Sequence, residues 1–156
     1  MAIHEKYLVV KQSSLPRAGK GLFTAIPIKK GSRIVEYKGR IERWKDVKDQ
    51  DGHNGYLMYI NKNVVINALS AKNTKGRFAN DARGMSRVRG VSNNSLYVSV
   101  GSRCYIEATR DIEKGEEILV NYGKPYWDLV RSIRIKTKQN SVASGKKESP
   151  RARLIG

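Results

Sequence analysis

Apolar and β-branched residues in this chain fall in short runs separated by turn formers, the pattern of a protein built mostly from strands. Tyr7 to Lys11, Gly21 to Ala25, Arg33 to Tyr37, Tyr56 to Ile60 and Val64 to Asn67 are such runs, bounded by Gly, Pro, Asn or Ser. Asn61-Lys62-Asn63 predicts a hairpin turn between the last two, and Leu96 to Val100 with Arg103 to Ala108 predicts a second hairpin around Gly101-Ser102. The turns Ile28-Lys29-Lys30-Gly31 and Ile112-Glu113-Lys114-Gly115 resemble each other, each placing a glycine after a lysine to begin a new strand. Only Pro125 to Ile135 has a helical period: Tyr126, Leu129, Val130 and Ile133 recur at three- and four-residue spacing behind a proline suited to a helix start.

A length of 156 residues fits one domain with a single modest core. No apolar run approaches the roughly 20 residues that cross a bilayer, and Met1 to Lys6 lacks the apolar core of a secretory signal, so an intracellular protein without a membrane partner is expected. The one cysteine, Cys104, sits in an alternating segment and is expected to be a small buried apolar residue; it permits neither a disulfide nor a thiolate zinc site. His4 and His53 lie in unrelated contexts, so no metal site is expected.

Charge changes the picture more. The chain holds 31 Lys and Arg against 14 Asp and Glu, a net +17. From Arg131 onward there are eight basic residues and one acidic, a net +7, and from Gln139 the sequence is poor in large apolar groups. We therefore divide the chain into a domain over 1–130 and a basic helix end with a flexible tail over 131–156. Such a tail suits a polyanion, nucleic acid or chromatin, and equally a solvated appendage without a partner.

Four blocks carry the chemistry: Ala18-Gly19-Lys20-Gly21-Leu22-Phe23, Glu36-Tyr37-Lys38-Gly39, Gly76-Arg77-Phe78-Ala79-Asn80-Asp81 and Gly115 to Gly123. Gly19-Lys20-Gly21 offers main chain without bulk at two positions, for a ligand or for an ordinary turn. It lacks both the full GxGxxG pattern and the GK[ST] ending of a phosphate loop. In order and spacing the four blocks resemble those of a SET-domain protein-lysine methyltransferase, over roughly residues 7 to 128. The resemblance implies a mainly β domain of the β-clip type: small twisted sheets, a short C-terminal helix, and a pseudoknot-like crossing that brings the Asn80 and Tyr122 segments together.

The resemblance also implies a cofactor, S-adenosylmethionine, with Ala18, Gly19, Lys20 and Gly21 at its methionine end and Arg77, Asn80, Asp81, Tyr56, Tyr122 and Trp127 as further contacts. Tyr126 or Trp127 would cover adenine, in place of the cysteine-rich zinc segment of many relatives. Tyr122 takes the catalytic position, supported by Tyr37 and Tyr97, and either the Tyr97 hydroxyl or the small Val120 sets the number of methyl groups added. The chain departs from the family's Asn-His-Ser-Cys in having Asp81 after Asn80, and the closing Pro-Asn arrives late, as Asn93-Asn94, after a basic insertion from Arg83 to Val91. Glu116 and Glu117, neighbours on a strand, point to opposite faces and are expected to be structural.

The implied substrate is a protein lysine, in a histone or another basic protein, with Glu36, Glu42, Asp46, Asp49 and Asp51 as candidates to line its groove. Nucleus or chromatin, or a bacterial cytoplasm, is the implied location. Two other classes stay open: a catalytically inactive SET module that binds protein, and a basic nucleic-acid-binding protein. The scarcity of aromatic residues among the basic segments counts against the second as a main function.

Overall fold

The computed structural model of the chain describes residues 2–51, 53–84, 87–140 and 153–154, with the backbone alone for 134–140 and 153–154. In chain order the strands are β1 (Leu8–Gln12), β2 (Lys20–Thr24), β3 (Arg33–Glu36), β4 (Arg40–Glu42), β5 (Leu57–Asn61), β6 (Val64–Asn67), β7 (Ser95–Val100), β8 (Arg103–Ala108), β9 (Glu117–Ile118), β10 (Val120–Asn121) and β11 (Arg153–Leu154). The helices are α1 (Trp44–Val47) and α2 (Lys124–Asn140). The chain forms two compact units, Met1–Lys38 with Lys72–Asn121 and Gly39–Ala71 with Tyr122–Gly156.

The first unit holds two sheets. In one, β1 runs antiparallel to β2 from Leu8 opposite Thr24 to Gln12 opposite Lys20, and β9 takes the other edge of β2. In the other the order is β10-β7-β8-β3, with β7 and β8 a hairpin and β10 parallel to β7. Alternation along β8 buries Cys104, Ile106 and Ala108 as a half-buried strand should. On the opposite face Arg33 lies over the Tyr105 ring at 4.0 Å. Arg103 stands 3.8 Å from Glu36, and its pKa is raised by a hydrogen bond with Tyr105 first and by Glu36 second.

The two similar turns of the sequence are partners. Ile28 N donates to Ile112 O and Ile112 N to Ile28 O, both at 2.8 Å, and both side chains are buried. Gly31 and Gly115 close the turns at φ 85° and 89°, a region open to glycine at little cost. Their amides then donate to Ala108 O and Thr24 O, locking each turn onto a sheet.

The second unit has one sheet, ordered β11-β5-β6-β4. The β5-β6 turn is fixed by Asn63 N donating to the Asn61 side chain at 2.8 Å. Val47, Leu57 and Val65 form its apolar cluster, with Trp44 and Tyr59 edge to face at 5.3 Å against it. Full burial of each aliphatic chain stabilises by about 1.5–3 kcal/mol before ordering entropy is charged.

The runs expected as strands match within a residue or two, and Cys104 is buried as expected. The helix is longer than its apolar period, running through Asn140, because Lys136 to Gln139 are mostly good helix formers and no Gly or Pro interrupts them. In the stretch expected as a tail, Gln139 and Asn140 thus belong to α2 and Arg153–Leu154 pair in parallel with β5, while 141–152 and 155–156 lie outside the described residues. Among the described residues no helix is long and apolar enough to cross a membrane, and no group of three or more His, Cys, Asp or Glu is placed to hold a metal.

Candidate functional site

Glu117 organises the loop that precedes β2. It is buried, accepting 2.6 Å bonds from the Ser13 and Ser14 hydroxyls and one of 3.0 Å from Ser14 N. Ser13 N then closes the loop on Gly19 O at 2.8 Å, with Leu15 as its buried floor. A Cβ at Gly21 would collide with the Glu117 carboxylate, so that glycine is required by packing. At Gly19, φ is 70° and nothing lies within 4 Å of where a Cβ would stand, so the main chain there is open to a ligand.

Asn80 is the junction of three segments. Its Nδ2 donates to Lys20 O at 3.0 Å, and its carbonyl accepts from Val120 N at 2.8 Å. The segment Leu119–Asn121 is thus bonded to Asn80 on one side and to β7 on the other, which is the expected crossing. Asp81 turns away into the insertion: its Oδ1 accepts from Arg83 N and from Asn93 Nδ2, both at 2.8 Å, while Asn93 Oδ1 accepts from Ala82 N at 2.8 Å. The aspartate therefore closes the loop that the insertion creates.

Arg77 is buried, and it follows Gly76, whose missing side chain lets this segment pack on the Glu36 carbonyl. Tyr37 and Tyr97 meet edge to face at 6.0 Å, with 0% and 6% of their surface exposed, and Tyr37 N donates to Cys104 O at 2.8 Å. In the second unit Tyr122 and Trp127 stack at 5.8 Å and 8°, and Tyr126 stands edge-on to both, at 5.1 Å from Tyr122 and 4.8 Å from Trp127. Tyr56 is half-buried just before β5, its amide on the Asn54 side chain and its carbonyl on Ala68 N.

The family model described as the SET domain matches residues 19–123, more than half of the chain. The chain belongs to the SET-domain family. It is 30% identical over 116 residues to the N-lysine methyltransferase KMT5A-A of Danio rerio, covering 67% of this chain and 32% of that protein. It is 26% identical over 159 residues to the histone-lysine N-methyltransferase EZH2 of Chaetomium thermophilum, covering 94% of this chain and 10% of that protein. It therefore spans a tenth to a third of the length of these relatives. Among solved structures, the methyltransferase domain of human PR domain-containing protein 2 superposes with a TM-score of 0.54 at 21% identity, over 76% of this chain and 78% of that one, and so shares its fold.

Within the first unit, the SET fold ties Lys20 to Asn80 and pairs Tyr37 with Tyr97. Within the second, it gathers Tyr122, Tyr126 and Trp127. The sequence marked Asn94 as the displaced motif asparagine but gave it no role. Its amide spans the buried backbone before β10, donating to Glu117 O at 2.8 Å and accepting from Leu119 N at 2.9 Å. Ser95 adds a hydroxyl bond to Leu119 O at 2.9 Å. The signal in the sequence was the displaced Asn93-Asn94 itself, beside the apolar start of β7.

Proposed function

We propose that this SET domain transfers a methyl group from S-adenosylmethionine to the side-chain nitrogen of a lysine in a protein. The observation that carries the reading is the junction at Asn80, where the Lys20 main chain, the Asn80 segment and the strand leading into Tyr122 are held by direct hydrogen bonds. The reaction type is taken from relatives named as lysine methyltransferases.

The residues present fit the cofactor. The open main chain at Gly19 suits the methionine end, and half-buried Trp127 retains indole surface for a flat heterocycle. Ala18, Gly19, Lys20, Arg77, Asn80, Tyr56 and Trp127 are the proposed contacts, with Gly21 and Asp81 acting through the packing described above. When bound, the cofactor supplies a methyl group already activated on positive sulfur.

The chain must then present a lysine that is deprotonated and aligned. A lysine has an ordinary pKa near 10.4. Tyr37 and Tyr97, both buried, are proposed as an aromatic wall that disfavours the ammonium by desolvation, while the wall's faces still attract it on entry. Tyr122 is proposed as the catalytic hydroxyl that positions the reacting groups; alignment of this kind supplies several kcal/mol.

For the substrate we propose a lysine in a short extended segment of a histone or another basic protein, which implies a nuclear or chromatin setting in a eukaryotic cell. Three of the acidic residues expected to line the groove already face arginines: Glu36 with Arg103 at 3.8 Å, Glu42 with Arg40 at 3.7 Å and Asp46 with Arg43 at 3.4 Å. A basic segment would compete for these carboxylates.

The test is calorimetric titration with S-adenosylmethionine, followed by incubation of a mixed protein extract with labelled cofactor and mass spectrometry of labelled peptides. Micromolar binding with label on lysine is expected. Binding without any transfer would reassign the chain as an inactive SET module, and no binding would overturn the reading.

A further inference from the structure

The insertion from Arg83 to Val91 is not explained by methyl transfer. It is anchored by a small apolar cluster in which Val88 and Val91 pack, together with Ala18, against Leu15, Ala82 and Leu119. Because Val88 turns inward, its neighbours Arg87 and Arg89 turn out, and both are exposed. Arg83 beside Ala82 is exposed too, as are Arg17 and Lys20 on either side of Ala18 and Gly19. The one cluster thus seats five solvent-facing cations over two loops that are 60 or more residues apart in sequence.

None of the five is in an ion pair among the described residues. The carboxylates bonded into these two loops are withdrawn: Asp81 and Glu117 are buried, and their oxygens accept from Arg83 N, Asn93, Ser13 and Ser14. Arg87 Nε donates to Arg83 O at 3.0 Å, which braces the insertion. The first unit as a whole carries 17 Lys and Arg against 8 Asp and Glu. Like charges gathered without counter-charges repel one another at a cost to the fold, which a polyanionic partner would relieve.

We infer that Arg17, Lys20, Arg83, Arg87 and Arg89 form a binding surface for the phosphate backbone of nucleic acid. The five positions offer cations with no aromatic residue to stack on bases. The patch therefore suits regularly spaced phosphates. An acidic protein surface fits less well, since such interfaces centre on aromatic or aliphatic anchors, which these five positions lack. None of the five positions belongs to the C-terminal tail of the sequence.

The test uses the full chain and a fluorescein-labelled 20-base-pair duplex of arbitrary sequence, with anisotropy read between 50 and 200 mM KCl. Arg83→Ala/Arg89→Ala is the main variant; Arg89→Glu is a second, and thermal melting checks the fold of both. Binding by the parent chain should fall steeply with salt. The double variant should bind at least about tenfold more weakly at 50 mM and lose about 1.8 from its log–log salt slope, about 0.9 for each phosphate contact removed. Methylation of a short free peptide should not change, so failure of the surface and failure of the enzymatic reading are read separately. Equal affinity and slope in parent and folded variants would overturn the proposal. So would binding lost only when 141–156 are removed, or displacement of the duplex by polyglutamate at equal charge concentration.

Discussion

Asn94→Ala should destabilise this domain more than its small change in volume suggests. In the folded chain Asn94 is 1% exposed, and its side chain joins Glu117 O and Leu119 N at 2.8 and 2.9 Å. Both partners lie in buried residues, so truncation leaves one acceptor and one donor without water. Each such group costs about 1–3 kcal/mol, and the sum is about 2–6 kcal/mol, with the low end applying if a water enters the vacated space. For a chain of this length each kcal/mol lowers the melting point by about 2–4 °C, so a fall of at least about 4 °C is expected by circular dichroism. Asn94→Asp should not rescue it: the acceptor for Leu119 N survives, but a buried carboxylate oxygen then faces Glu117 O. Amide exchange at Leu119 should quicken in parallel with the loss of stability. A folded Asn94→Ala variant melting within about 2 °C of the parent would refute the reasoning.

Four further outcomes follow. Gly21→Ala should cost about 1–3 kcal/mol by forcing the Glu117 carboxylate aside, and a double-mutant cycle with Glu117→Ser should show that most of the loss is shared; additive losses would refute the clash. Asp81→His should cost about 1–3 kcal/mol by abandoning Arg83 N and Asn93, whereas Asp81→Asn, which keeps an acceptor oxygen, should melt near the parent. Tyr122→Phe should lose about a hundredfold in methyl transfer with little change in melting, as measured by labelled-cofactor turnover. Tyr97→Phe should shift the product from monomethyl-lysine toward di- and trimethyl-lysine; identical mass spectra for parent and variant would leave Tyr97 a packing residue.

Strands were legible where turn formers framed them, as with Asn61-Lys62-Asn63 and Gly101-Ser102, because those turns are local and their chemistry is in the residues themselves. The stretch from Arg40 to Gln50 was not legible. β4 exposes Ile41 at 56%, and α1 with the 3-10 turn after it buries only Val47, so neither period emerges from the pattern. The twin turns could be seen to be alike, but not to be partners, since Ile28 and Ile112 are joined by a contact that no local window contains. In the candidate site the motif residues, Asn94 among them, were visible in the sequence, whereas the buried hydrogen bonds of Asn94 and of the Ser13, Ser14 and Glu117 set were not. Their roles exist only once segments 23 to 104 residues apart have met.

The seating of Leu119–Asn121 between Asn80 and β7 has a kinetic consequence. Both ends of the loop Asp81–Asn94 must be in place before this strand can be gripped on its two sides, so it is expected to dock late, after loop closures that are slow because they are long-range. Tyr122 follows that strand directly. A chain arrested short of its last docking step would hold most of its sheets and yet lack the fixed backbone that precedes the tyrosine. Recovery of turnover after refolding should therefore lag behind recovery of the β-sheet signal.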